Sequence, residues 1–241
     1  MGITRQIKVG ILTAPHIEFE QRKDTFVLKN VRIGIGFHWD RHEDQEFAGT
    51  LEIRNNPDGT QTAINTIDLE DYLCSVISSE MNANSPMELL KAHAVISRSW
   101  AIRAMLKPNH EGFHVCADDH CQRYEGLRRM NERAVEAVRA TAGQVLINEK
   151  MVNDQMVNEI CDCRYYKCCG GRTEIWRTCW EDIDVPYIQS VLYGKGVHGS
   201  FSHMENVPDN LEIVYETQDK NTENEQFIVY KIFLPERLKI K

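Results

Sequence analysis

Two places in this chain carry residue types that can do chemistry. The first is a run of imidazoles and thiols: His110, His114, Cys116, His120 and Cys121. Zinc takes four nitrogen or sulfur ligands in a tetrahedron. Cys116, His120 and the adjacent Cys121 have the spacing to fold around one ion, and either His110 or His114 could complete the set. The bland alternative is a loop of free thiols and surface histidines, but the ligands are dense for that. A four-ligand site has no open position, so the ion would be structural, holding a loop too polar to fold alone. The second place is Glu80, in Ser78-Ser79-Glu80-Met81-Asn82, a polar linker between two helix-like segments. A carboxylate held there can act as a general acid and base. By pattern alone it reads first as a solvated acid at a helix end, as most glutamates do, and a catalytic role is a long shot.

Two further groups stand out less. Tyr165-Tyr166-Lys167-Cys168-Cys169-Gly170-Gly171 ends in glycines that let the backbone turn tightly or approach a ligand. Its vicinal cysteines read most simply as small core residues, because adjacent cysteines bridge only with strain. On the segment after Glu80, helical spacing puts Lys91, Ala94 and Arg98 near one face and His93, Ser97 and Trp100 near another. A solvated basic stripe beside a core tryptophan accounts for that spacing.

These residues need elements to position them. Strands are expected at 7–13, 26–36, 47–54 and 60–67, with Asn56-Pro57-Asp58-Gly59 as a hairpin turn. Asp68 and Asp71 look like an N-cap pair opening a helix over 69–78, with Leu69, Tyr72, Leu73, Val76 and Ile77 on one face. Ser85-Pro86-Met87-Glu88 predicts a capping box for a helix over 86–106, ended by Pro108. A short helix is expected over 131–142. A hairpin follows, with strands at 144–147 and 151–157 and Asn148-Glu149-Lys150 at its turn. The text then becomes polar and irregular from about 191, with a last strand at 227–234.

The 241 residues carry a formal net charge of -8 and 42% hydrophobic residues. That supports a real core and argues against a duplex nucleic-acid binder, which shows a basic face. No apolar run is long enough to cross a bilayer, and the first ten residues show no signal-peptide core. Seven of the eight cysteines lie between 116 and 179.

Several segments, in order, resemble the stage II sporulation protein D / LytB amidase-enhancer family. Leu69-Glu70-Asp71-Tyr72-Leu73 with Ser79-Glu80-Met81 is similar to its "EDYL…SEM" signature. Leu90-Lys91-Ala92-His93-Ala94-Val95 with Ser97-Arg98 is similar to "LKAQAVAART", and Val115-Cys116 with His120-Cys121-Gln122 to "VC…HCQ". Ala134–Leu146, Gly170-Gly171-Arg172-Thr173-Glu174 and Pro186–Val191 continue the match, which runs from Ile64 to about Val191. Cys168-Cys169 depart from it, standing where small hydroxyl residues are usual. So do residues 192–241, whose pattern is not the family's.

The resemblance implies an α+β fold: a mixed sheet with several helices around a glycan cleft, framed by helices 69–78 and 86–106, and a zinc-stabilised loop. It implies one domain over 5–191, with a β-rich part at 5–67 and a catalytic core at 68–191, followed by a divergent segment at 192–241. It implies a lytic transglycosylase acting on peptidoglycan glycan strands stripped of stem peptides, with Glu80 as the single catalytic acid and base. The alternative is a glycan-binding module that activates a separate cell-wall amidase. A zinc-stabilised interaction domain of the cytoplasm is a third reading, from the absent signal and the cysteines. Zinc ligands carried over are Cys116, His120 and Cys121, with His110 as the fourth. Substrate-binding residues expected are Ser79, Lys91, His93, Arg98, Tyr166, Lys167, Gly170 and Gly171. The expected setting is the cell envelope.

Overall fold

The structure, a computed structural model, describes residues 5–36, 38–165, 172–191 and the backbone of 238–240. It is mixed α and β, and its backbone contacts divide the chain into two compact units that meet between Leu146 and Ile147.

In the first unit, strand β1 (Gln6–Ala14) pairs antiparallel with β6 (Gln61–Asp68), which pairs with β5 (Thr50–Asn55). A two-residue strand, β7 (Val115–Cys116), joins the other edge of β1 in parallel. The second sheet is the antiparallel ribbon β2 (Phe19–Gln21), β3 (Thr25–Ile33) and β4 (Arg41–Ala48). The strand expected over 47–54 is thus two strands from different sheets, broken at Gly49, whose φ is 91°. A positive φ there takes the chain out of extended geometry.

Helix α1 (Leu69–Glu80) starts directly after β6, and the Asp68 side chain accepts the Glu70 amide as its cap. Its expected apolar face is the buried one: Leu69, Tyr72, Leu73, Val76 and Ile77. Helix α2 (Met87–Leu106) does not use the expected capping box. Pro86 holds the cap position and no side chain caps it. Ser85 is buried, and its amide donates back to the Asn82 carbonyl in a turn. Glu88 faces outward and pairs with Lys91 at 2.7 Å. Helix α3 (Glu132–Ala140) is capped by Asn131 and buries Ala134, Ala137 and Val138.

A line of rings ties this unit together. Phe26 packs on Phe47 with centroids 5.5 Å apart, Phe47 on Tyr124 at 5.6 Å, and Tyr124 on Tyr72 at 5.1 Å. Tyr124 is fully enclosed, so its hydroxyl needs a partner; it donates to Asn65 Oδ1 at 2.8 Å. Gly126 lets the same segment lie against β4, because a Cβ there would run into the Glu46 carbonyl.

In the second unit, β8 (Leu146–Val152) and β9 (Gln155–Ile160) form a hairpin, and the backbone of β10 (Leu238–Ile240) joins the β8 edge. The turn is Asn153-Asp154, with φ of 49° and 60°, not the expected 148–150. Two-residue hairpin turns of this type need positive φ twice, which Asn and Asp tolerate and Glu and Lys do not. A single helical turn, α4 (Trp176–Cys179), carries Trp176, over which Arg164 stacks at 5.3 Å. The strand expected at 227–234 lies outside the described residues.

Candidate functional site

The metal-ligand loop hangs from β1. The β1–β7 pairing places Cys116 opposite Gly10, and the Ala117 amide donates to the Gly10 carbonyl at 3.0 Å. A turn, Cys121 amide to Asp118 carbonyl at 3.0 Å, then brings the chain back. The result gathers His110, Cys116, His120 and Cys121, whose ligand atoms all lie within 4.8 Å of one another. His110 Nε2 stands 3.2 Å from Cys121 Sγ, His120 Nδ1 3.4 Å from Cys121 Sγ, and Cys116 Sγ 3.9 Å from His120 Nδ1. In a tetrahedron of ordinary Zn–S and Zn–N bonds, neighbouring donors stand about 3.3–3.8 Å apart. The set therefore fits a metal ion.

Of the two histidines left open by spacing, His110 joins the cluster and His114 does not. His114 Nδ1 accepts the Lys8 amide at 2.9 Å, which pins its ring to β1. Burial, helped by Lys8, pushes its pKa below the ordinary imidazole value. The Cys116 thiol is shifted down as well. Its hydrogen bond with Cys121, aided by the Asp118 backbone and His120, lowers its pKa to about 5 against the opposing pull of burial. Thiolate is the form that binds metal.

Glu80 ends α1 and is half-buried. Its Oε1 accepts the Arg123 amide at 2.9 Å. Arg123 is two residues past Cys121, so a backbone hydrogen bond links the metal-ligand loop to the Glu80 carboxylate. No pattern in the sequence points to Arg123, because a backbone amide carries no residue signature.

The other expected site residues divide. Lys91 is half-exposed and paired with Glu88. Ser79 and His93 are buried, and burial pushes the His93 pKa down to about 4. Arg98, expected to meet substrate, is 1% exposed. Its guanidinium grips both Glu70 oxygens, at 2.8 and 2.7 Å, and reaches the carbonyls of Val138 and Gln144 at 3.2 and 3.1 Å. With the Ala94 carbonyl at 3.5 Å, those bonds spend its five donors, so Arg98 joins α2 to α1 and to the end of α3. Tyr166, Lys167, Gly170 and Gly171 lie outside the described residues, as do Cys168 and Cys169.

A groove of about 860 Å³ runs between β1 and β3, with Phe113, Cys116, His120 and Glu125 on one wall. This groove is walled by strands and the metal-ligand loop. No helix among the described residues is long and apolar enough to cross a membrane.

Residues 57–148 match the SpoIID family model, described as Stage II sporulation protein. The matched span holds α1, α2, the whole metal-ligand cluster and α3. An uncharacterized protein of Brachyspira hyodysenteriae is 29% identical over 147 residues, which cover 61% of this chain and 37% of that protein.

Proposed function

Because residues 57–148 are a SpoIID domain, a family with a cell-wall-related role, we propose that this protein is a lytic transglycosylase of peptide-stripped peptidoglycan glycan. The observation that carries the reading is the Glu80 carboxylate, half-buried at the end of α1 and oriented by the Arg123 amide at 2.9 Å. Protonated Glu80 gives its proton to the glycosidic oxygen as the bond from that oxygen to the anomeric carbon breaks. The muramoyl C6 hydroxyl attacks that carbon from within the same sugar. Its proton passes to the Glu80 carboxylate, restoring the acid and leaving a 1,6-anhydro ring. Neither water nor a second carboxylate enters, unlike glycosidases that work with a pair.

His110, Cys116, His120 and Cys121 would hold zinc. With four protein ligands the ion supplies no open position, so its contribution is to fix the loop that carries Arg123. The setting that goes with this reading is extracytoplasmic, where glycan strands are.

The test is mass spectrometry of peptide-free glycan after incubation with wild type and Glu80→Gln. Anhydro-muramic ends from wild type, reduced by roughly 10²–10⁴-fold in the variant, are expected for loss of a general acid. No cleavage by folded, metal-loaded wild type would overturn the reading and favour a glycan-binding activator of an amidase.

A further inference from the structure

We infer that Glu125 is a positioning residue for Glu80: by locking the Arg123 side chain it fixes the Arg123 amide that orients the Glu80 carboxylate. The inference rests on the reading of Glu80 given above.

Glu125 is an unusual residue to find buried. It is 2% exposed, and its two oxygens stand 2.6 Å from Arg123 Nε and 2.5 Å from Arg129 Nε. These are ion pairs, out of line for hydrogen bonds. A buried pair of that kind is weak as a source of stability, because desolvation offsets the attraction. Its geometric effect is strong. The Arg123 guanidinium is held between Glu125 and the Trp39 ring, whose centre lies 4.9 Å from Cζ. Trp39 in turn lies against Gly34, where a Cβ would run into the indole.

The backbone on either side is equally fixed. Tyr124 donates its amide to the Ala117 carbonyl at 3.0 Å and its hydroxyl to Asn65. Leu127 donates to the Glu46 carbonyl at 2.8 Å. The peptide between Cys121 and Tyr124 is therefore clamped on its C-terminal side by Glu125 and Tyr124, and on its N-terminal side by the Cys121 turn. This clamp presents the Arg123 amide to Glu80, at 2.9 Å. Catalysis by a single carboxylate depends on its orientation, and loss of alignment acts on the chemical step rather than on binding.

The experiment is a cycle read by ¹⁵N–¹H spectra of the full chain. Glu80→Gln is made in wild type, in Glu125→Gln and in Arg123→Ala, and the shift of the residue 123 amide is followed each time. A hydrogen bond held in place makes that amide respond strongly to Glu80→Gln in wild type. The response shrinks at least about twofold in both other backgrounds, as coupled residues require. Arg123→Ala leaves Glu125 its Arg129 partner and guards against a misfolded Glu125→Gln. On peptide-free glycan, Glu125→Gln lowers kcat about tenfold with KM unchanged and bound metal retained. A full-size amide response in both backgrounds overturns the inference, as does wild-type kcat in Glu125→Gln. If wild type cleaves no glycan, the transglycosylase reading falls, and the amide response alone decides whether Glu125 positions Glu80.

Discussion

The loop at 110–121 and the helices α1 to α3 are held in place by different forces. The helices bury aliphatic and aromatic faces, among them Leu73, Val76, Ile77, Leu90 and Val138. Each such side chain stabilises by about 1.5–3 kcal/mol. The loop, apart from Val115 and the half-buried Phe113, has little apolar surface to hide; it offers four metal donors and a few backbone bonds to β1. Glu80 belongs to the first region by its helix and to the second by its hydrogen bond with Arg123. The difference teaches that the carboxylate is aimed by two structures that can be weakened separately.

Removing the proposed zinc should have the largest effect, and only on one side. Structural zinc contributes roughly 10–16 kcal/mol in small peptides, so a loop without its own core is expected to lose its order when the ion goes. Cys121→Ser, or chelation of wild type, should abolish bound zinc and raise hydrogen exchange in residues 110–123. Exchange in α1 and α2 should stay slow. Equal loosening of the helices would erase the distinction between the two regions. His110→Ala should likewise lose zinc while His114→Ala keeps it, as the 3.2 Å approach of His110 to Cys121 requires.

Arg98→Met attacks the other side. Removing the buried guanidinium deprives half-buried Glu70 of its bidentate partner and should cost up to about 3–5 kcal/mol of global stability by denaturant titration. Zinc stoichiometry should not change. Retained stability would mean that Arg98 does not join the helices as its bonds imply.

The smallest of the three effects is a pH response. The folded pKa of His93 lies near 4, below the unfolded value near 6.5, because burial disfavours its charge. Protons therefore bind the unfolded chain first. The stability tied to neutral His93 is fully present above about pH 6.5 and is lost as pH falls towards 4, by roughly 3 kcal/mol at most. The difference in unfolding free energy between wild type and His93→Gln, followed over that range, should change by this amount. A constant difference would remove the buried histidine from the account.

Much of this was readable before the fold was known. The apolar face of α1, the extent of α2 and the donors Cys116, His120 and Cys121 all follow from local spacing, which a helix or a short loop converts directly into position. The turn lies at Asn153-Asp154 and not at Asn148-Glu149-Lys150, because strand register decides which residues take positive φ. The capping box failed because Ser85 was drawn into a turn with Asn82 and buried.

What the sequence determined by itself is therefore local: the apolar stripes that make helices, the donors that suit a metal, and the segment that carries Glu80. What only the tertiary structure decided is long-range. It chose His110 over His114, because β1 captured the latter's ring. It turned Arg98 inward, because Glu70 on another helix met its fork. It brought Arg123 to Glu80 across 43 residues of chain. Such pairings depend on which surfaces meet when the core closes, and residues far apart in the chain leave no periodic trace of meeting.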